Sequence, residues 1–117
     1  ARDLAKFGLM LMNNGVFNGT QVVPESWIRA TLSQDEKYKN NFLKSEYALR
    51  LPDFHYRNQT WVGDKSTMLC IGIYGQAILV DQKNKIVIVK LSSHPEPDDP
   101  VILGTTFLGI SAIQEKL

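Results

Sequence analysis

The residues best suited to line a reaction site are Gly72-Ile-Tyr-Gly-Gln76, inside the strand-like run from Cys70 to Asp81. Glycine within a strand often marks a place where a ligand or another backbone approaches closely. The two glycines therefore predict that this segment forms the wall of an active-site cleft. The alternative is a plain strand with a bulge, in which Tyr74 simply packs against its neighbours.

No residue elsewhere in the chain forms a convincing pair of nucleophile and base. Cys70 has apolar neighbours and no histidine near it in the sequence, which predicts a buried, inert thiol. His55 and His94 are too few for a catalytic zinc site, because even with Cys70 added all three would have to converge. The sequence therefore predicts no metal and no cofactor, and a reaction site whose reactive half lies elsewhere.

The bulk composition excludes several classes of protein. The 117 residues include 13 Lys and Arg and 12 Asp and Glu, giving a formal charge of +1 without a basic cluster. We therefore expect no nucleic-acid partner, since such binding needs a concentrated basic face. No run approaches the roughly 20 apolar residues that a membrane helix needs. The chain begins Ala-Arg-Asp, which suggests a processed N-terminus or a fragment.

Three helices are predicted. Residues 4–12 are apolar around nearly the whole helix circumference, so this helix should be buried on several sides. A second helix should run over residues 24–32, with Pro24 at its first position and Trp27 and Ile28 as apolar anchors. A last helix should start at Pro100 with Asp99 as its N-cap. Residues 33–45 are polar and charged, which predicts a loop.

The strand pattern predicts an antiparallel sheet. Residues 46–51 alternate like a strand and residues 60–62 form a candidate partner. Residues 72–80 and 85–91 should form a hairpin, and the second strand should be covered on both faces because nearly every position is apolar. The fold class is therefore α+β, an antiparallel sheet with flanking helices. The surplus of two-sided apolar elements also predicts a missing covering segment, since a chain of this size buries only ~65% of its surface.

Several short motifs follow one another along the first part of the chain: Arg2-Asp-Leu-Ala-Lys-Phe-Gly8, Asn14-Gly15, Gly19-Thr-Gln-Val-Val-Pro24 and Ser26-Trp27. This order resembles the β-lactamase-related serine hydrolases, which include class C β-lactamases, penicillin-binding-protein-like peptidases, family VIII esterases and 6-aminohexanoate-dimer hydrolases. The Gly-Ile-aromatic-Gly-Gln form is most similar to the last of these branches. The resemblance implies the C-terminal part of a β-lactamase/transpeptidase-like fold, so residues 1–117 would be a single incomplete domain.

The resemblance also implies a set of site residues. Such enzymes use a Ser-x-x-Lys pair of nucleophile and base, a proton-shuttling tyrosine, and an oxyanion hole with one donor on the pocket strand. By position, the backbone N–H of Ile73 is the candidate oxyanion donor. The implied substrate-binding residues are the following: Gly72, Tyr74, Gly75, Gln76 and Trp61.

The sequence departs from the family pattern at three places. None of the seven serines has a lysine three residues later, so the nucleophile motif is absent. Tyr38-Lys-Asn40 spells a Tyr-x-Asn, but it follows the Arg-Asp-Leu-Ala segment, whereas the family's tyrosine motif precedes it. Cys70-Ile-Gly72 stands where true β-lactamases have Lys-Thr-Gly, which favours amide or ester substrates over lactams.

The leading hypothesis is the C-terminal portion of a serine hydrolase that cleaves amides or esters through an acyl-serine intermediate. The chain alone should be inactive, and its expected partners are the missing N-terminal part of the same protein and a small amide or ester substrate. The resemblance favours a periplasmic or secreted location. Two alternatives stay open: a small α+β module that binds a partner or self-associates, and a family member that has lost its catalytic serine.

Overall fold

The computed structural model describes all 117 residues, from Ala1 to Leu117. Its regular elements, in chain order, are α1 (Arg2–Met12), β1 (Val16–Phe17), β2 (Thr20–Gln21), α2 (Glu25–Leu32), α3 (Glu36–Leu43), β3 (His55–Arg57), β4 (Thr60–Val62), β5 (Thr67–Gly72), β6 (Gln76–Asp81), β7 (Ile86–Lys90) and α4 (Pro100–Lys116). Two 3₁₀ turns cover Glu46–Leu49 and Ile73–Gly75. The predicted α+β class is therefore confirmed.

The main sheet is an antiparallel meander with the strand order β3-β4-β5-β6-β7. Its longest ladder joins β5 to β6, from the pair Thr67–Asp81 to the pair Gly72–Gln76. This register places the connection between β5 and β6 at one end of the sheet. Strands β1 and β2 form a separate small hairpin around Asn18-Gly19.

One face of the sheet carries the larger part of the core, beneath α1 and α2. The buried residues of this cluster are Met10, Leu11, Ile28, Leu32, Val62, Met68 and Val80. Helix α1 crosses β7 closely at Gly8, where an added Cβ would lie 2.5 Å from a methyl carbon of Val87. Burying apolar side chains on this scale is the main force that holds helices on a sheet.

The opposite face is covered more thinly, by α4. Leu69 and Leu79 of the sheet meet Ile110, the one buried residue of this long helix. Phe54 and Phe107 pack against that cluster while half-buried. Asp99 caps the helix by accepting hydrogen bonds from the backbone N–H groups of residues 101 and 102. The two faces together make a three-layer arrangement of helix, sheet and helix.

The predicted helices at residues 4–12, 24–32 and from 100 onward are confirmed, with two corrections. Pro24 is the N-cap of α2 and not its first helical residue. Ile28 is fully buried as predicted, whereas Trp27 is exposed. Each boundary lies within two residues of its prediction because capping residues and prolines mark it in the sequence.

The prediction that the first helix is buried on several sides is wrong for this chain. Only Gly8, Met10 and Leu11 of α1 are buried, while Leu4, Phe7 and Leu9 are exposed. The two-sided burial predicted for β7 is also incomplete, since only its first residue, Ile86, is fully buried. The physical reason is that one layer of helices covers each face and no element lies outside α1.

Residues 33–45 contain a helix and not only a loop. The carboxylate of Asp35 accepts a hydrogen bond of 2.9 Å from the N–H of Lys37, which caps α3. Phe42 is the single buried residue of this helix. The prediction failed because three of its eight residues are charged and two are asparagines, so the apolar period around the single buried anchor is weak. The Asp35 cap was the signal that could have found it.

Residues 46–51 are not a strand, because residues 46–49 form a 3₁₀ turn. Strand β4 at residues 60–62 is confirmed, but its partners are β3 and β5. Of the apolar residues in this segment, Tyr47 packs edge-on against Trp61, whereas Leu49 is almost fully exposed. Side-chain periodicity over so short a segment does not separate a strand from a tight turn.

The run from Cys70 to Asp81 is not one strand. It is the end of β5, a turn at residues 73–75 and the whole of β6, paired antiparallel. Tyr74 has φ of +59° and Gly75 has φ of +82°. A left-handed pair of residues reverses the chain at this point, which neither a continuous strand nor a bulged strand would do. The hairpin predicted over residues 72–80 and 85–91 is confirmed as β6 and β7, with its first strand starting at Gln76 and not at Gly72.

No helix of this structure combines the length and the apolar character that crossing a membrane requires.

Candidate functional site

The turn between β5 and β6 projects from the end of the sheet. The side chain of Ile73 is 67% exposed, and that of Tyr74 is also exposed. Gly72 is extended, with φ of −114° and ψ of 162°, and pairs with Gln76 across the turn. The turn therefore exposes the side chains of Ile73 and Tyr74 together with backbone, and Gly72 and Gly75 add no side chain beside them.

A cavity of about 190 Å³ opens beside this turn. Four of the predicted site residues line it: Trp61, Gly72, Ile73 and Gly75. The remaining lining residues come from the 3₁₀ turn and its flank, β5, the loop before α4 and α4 itself, and are Tyr47, Arg50, Leu51, Ile71, His94, Pro97, Asp98, Asp99, Leu103 and Phe107. The cavity thus has an apolar floor and a charged rim.

The other two predicted site residues do not line this cavity. The backbone N–H of Tyr74 donates to the carbonyl of Pro97 at 2.9 Å. The side-chain amide of Gln76 donates to the carbonyl of Ser92, and its oxygen accepts from the N–H of the same residue at 3.2 Å. Both residues hold the turn against the segment that follows β7.

A cluster of polar side chains that contacts the turn was not predicted from the sequence. The ammonium of Lys90 lies 3.1 Å from the carbonyl oxygen of Gly75, 2.8 Å from Ser92 Oγ and 2.9 Å from His94 Nε2. The Ser92 hydroxyl also reaches the carbonyls of Gly75, at 2.7 Å, and Tyr74, at 3.1 Å. The available signal was the spacing of two between Lys90, Ser92 and His94, which places side chains of extended backbone on one side.

Lys90 and Ser92 are close enough to suggest a nucleophile and base, but their hydrogen bonds argue against that chemistry. The Ser92 hydroxyl donates to backbone carbonyls and accepts from Lys90, so its proton and one lone pair are engaged. An ammonium has only donors, and all three of those on Lys90 have an acceptor. Ser92 also does not line the cavity.

The rim of the cavity carries one ion pair. Arg50 holds the carboxylate of Asp98 with two contacts from Nη1, at 2.9 and 3.1 Å. The hydrogen bond and the charge of Asp98 raise the pKa of Arg50 above its ordinary value. Both side chains are about half exposed, so the pair contributes little to stability. It instead ties the 3₁₀ turn at residues 46–49 to the loop before α4.

Trp61 separates this cavity from a second one of about 470 Å³. Its ring packs edge-on against Phe42 and Tyr47, with centroids 5.8 and 5.0 Å apart, and tilted against Tyr56 at 4.9 Å. Tyr38, the candidate for the family's tyrosine motif, lines the second cavity and lies beneath the guanidinium of Arg57. That tyrosine therefore lies apart from the turn at residues 73–75.

Cys70 and His55, two side chains considered as reactive from the sequence, are both withdrawn from solvent, Cys70 in part and His55 completely. Burial raises the pKa of the Cys70 thiol, although the Thr60 hydroxyl opposes the shift, which fits the predicted inert thiol. His55 is fully buried, and neither ring nitrogen has a hydrogen-bond partner. The structure places no group of three His, Cys, Asp or Glu side chains where they could share a metal ion.

Two comparisons relate this chain to known proteins. It is 34% identical over 100 residues to the 6-aminohexanoate-dimer hydrolase of Paenarthrobacter ureafaciens, a match that covers 84% of this chain and 25% of that protein. A solved structure described as "Putative 6-aminohexanoate-dimer hydrolase from Bacillus anthracis" matches over 100% of this chain and 29% of its own length, with a TM-score of 0.72 and 31% identity. No family model matches the sequence.

The chain spans less than a third of the length of either relative. Both similarities run through most or all of the chain, and they agree with the resemblance that the Arg-Asp-Leu-Ala and Gly-Ile-Tyr-Gly-Gln motifs carry. The chain matches only one part of each relative. Sequence and fold together show that this chain belongs to the 6-aminohexanoate-dimer hydrolase family.

Proposed function

We propose that these residues are the C-terminal part of a serine hydrolase that cleaves amide or ester bonds through an acyl-serine intermediate. The chain contributes a cavity wall and one backbone oxyanion donor, the N–H of Ile73. The serine nucleophile and its lysine base lie on polypeptide outside these 117 residues. The observation that carries the proposal is the exposed turn at residues 73–75 beside a cavity.

Acyl transfer explains why a backbone turn would be the functional element. The carbonyl oxygen of the substrate gains negative charge in the transition state, and fixed N–H groups stabilise that charge without reorganising. A turn flanked by Gly72 and Gly75 lets a substrate carbonyl approach the backbone. The apolar floor formed by Trp61, Ile71 and Phe107 would hold the acyl chain.

The chain itself supports placing the nucleophile elsewhere. None of its serines begins a Ser-x-x-Lys motif, and the one serine beside a lysine, Ser92, is engaged with backbone carbonyls. An unactivated hydroxyl is a weak nucleophile. The two relatives are three to four times longer than the matched region, which leaves room for the reactive half.

The partner of this chain would be the remainder of the same polypeptide. Leu4, Phe7 and Leu9 on α1 and Val101 and Leu108 on α4 are exposed apolar side chains on opposite sides of the sheet. Exposed apolar surface of this extent marks an interaction site in a soluble protein. Residues 1–117 would then be a single incomplete domain, with a small amide or ester as the substrate of the whole.

The Ile73 N–H can be removed with little change to the backbone. Ile73→Pro in the full-length hydrolase deletes that donor, and the extended ψ of 162° at Gly72 suits a residue that precedes proline. We expect kcat for a chromogenic ester to fall about 100-fold or more, as when one oxyanion donor is lost. Ile73→Ala is the matched control, since it shortens the side chain and keeps the N–H.

Equal activity of the Ile73→Pro and Ile73→Ala variants, both folded by circular dichroism, would show that this donor has no catalytic role.

Exposed apolar surface also favours a second candidate, a module that binds a protein partner without catalysis. A full-length protein that hydrolyses no amide or ester and has no Ser-x-x-Lys would favour that candidate, or an inactive family member.

A further inference from the structure

The segment from Lys90 to Pro97 is hydrogen-bonded to the turn at residues 73–75 at several points. Ser92 and Lys90 share the carbonyl of Gly75, and Ser92 also reaches the carbonyl of Tyr74. The N–H of His94 donates to the Tyr74 carbonyl at 3.2 Å, and the N–H of Tyr74 donates to the Pro97 carbonyl at 2.9 Å. Together these hydrogen bonds fix the three successive peptide planes that follow Ile73.

Lys90 is the centre of this contact. Its ammonium has three donors and three acceptors: a turn carbonyl, the Ser92 hydroxyl and a His94 ring nitrogen. Because the ammonium has no lone pair, His94 Nε2 must be the acceptor. Charge-assisted hydrogen bonds are about twice as strong as neutral ones. One half-buried cation thus connects the turn, the strand β7 and the segment after it.

The turn needs such support, because its backbone is strained. Tyr74 lies in the left-handed region at φ of +59°, a conformation that is unfavourable for a non-glycine residue. Backbone held in this region persists only where its surroundings determine it, and it often occurs at functional sites. The His94 ring packs so closely on Gly75 that an added Cβ would lie 2.1 Å from it.

We propose that Lys90 is a positioning residue for the oxyanion-donor turn, acting through the carbonyls of Tyr74 and Gly75 and through Ser92. This inference rests on the function proposed above. Lys90 does not line the cavity, so the role assigned to it is positioning and not proton transfer. It keeps the N–H of Ile73 aimed at the place where the substrate oxygen gains its charge. A donor misaimed by a fraction of an ångström loses much of its effect.

The test uses Lys90→Met in the full-length hydrolase, which keeps the length of the side chain and removes its donors. Lys83→Met is the matched control, because Lys83 is exposed in the turn between β6 and β7 and makes no side-chain hydrogen bond. We expect Lys90→Met to lower kcat about tenfold while KM changes less than about twofold, the split that follows when only the transition state loses stabilisation. Lys83→Met should change neither.

A second readout follows the turn itself. Hydrogen–deuterium exchange should become faster at residues 72–76 in Lys90→Met and stay unchanged there in Lys83→Met. If Lys90→Met does not fold, Ser92→Ala removes a single hydroxyl from the same contact, and it should shift kcat and exchange in the same directions by a smaller factor. An unchanged kcat in the folded variant, or a loss that appears in KM alone, would overturn the positioning role.

The two proposals fail in different ways. If Ile73→Pro retains full activity, the oxyanion function is wrong, whatever any Lys90 variant does. If Ile73→Pro is impaired while Lys90→Met matches Lys83→Met in kcat and in exchange at residues 72–76, only the positioning role is wrong.

Discussion

At the scale of single residues, the turn at residues 73–75 depends on Gly75. Its φ of +82° is a conformation that L side chains rarely adopt, and the His94 ring occupies the space where a Cβ would project. Two independent constraints, backbone conformation and packing, therefore demand glycine at this position. Tyr74 accepts its own positive φ because the segment from Lys90 to Pro97 holds its carbonyl and its N–H.

Gly75→Ala should consequently destabilise the fold by about 2 to 4 kcal/mol, the sum of a left-handed alanine and an overpacked contact. Urea unfolding followed by tryptophan fluorescence measures this change. Gly104→Ala is the control, because Gly104 lies inside α4 with no atom within 4 Å of an added Cβ. That substitution should stabilise by up to about 1 kcal/mol through helix propensity. Equal effects of the two substitutions would contradict the packing argument.

At the scale of elements, α3 and β3 form a small layer around a buried imidazole. His55 of β3 is fully buried, with no hydrogen bond to either ring nitrogen. Burial lowers the pKa of His55 below 6.5, the nearby charges of Lys39 and Arg57 lower it further, and the Ser33 backbone and Asp35 oppose the shift. The native state therefore favours the neutral form of this ring more than the unfolded chain does.

The pH dependence of stability follows from that shift. Below pH 6.5 the unfolded chain binds a proton at His55 before the native state does, so the free energy of unfolding should fall as pH drops toward the lower native pKa. His55→Leu should remove this part of the slope in urea unfolding measured between pH 7.5 and about 5. A slope that survives His55→Leu would assign the proton uptake elsewhere.

At the scale of the whole molecule, each face of the sheet is covered by one layer of helices and no more. The exposed apolar residues of α1 and α4 lie outside this arrangement, and under the function proposed above they pack against the rest of the polypeptide. The same surface gives the isolated chain a tendency to associate, because burying apolar area is favourable with any partner.

The isolated 117-residue chain should therefore elute larger than a monomer in gel filtration with light scattering, and should hydrolyse no chromogenic ester. Phe7→Ser on α1 should shift the chain toward the monomer, since Phe7 is one of its exposed apolar side chains. Leu49→Ser is a control, because Leu49 is also highly exposed but lies on the 3₁₀ turn. A monomer that binds no hydrophobic dye would contradict the proposal that another segment covers this apolar surface. Ester hydrolysis by the isolated chain would contradict the proposal that the nucleophile lies outside these residues.

The sequence by itself determined three helices, the hairpin of residues 76–90, the α+β class and the family. Capping residues, prolines and apolar periods are local signals, and they survive in any context. The short motifs were equally local, which is why Gly72-Ile-Tyr-Gly-Gln76 and Trp61 could be selected as site residues and then found, in part, beside one cavity.

Tertiary structure alone decided how the site is built. Whether residues 72–76 form a strand or a turn depends on their pairing, and the positive φ of Tyr74 is a conformation that its residue type disfavours. Helix α3 was missed because it buries only Phe42, and the contact of Lys90 and His94 with the turn joins residues 15 or more positions away from it in the chain. Such contacts come from the register of the sheet, which brings distant residues together without leaving a mark in the local sequence.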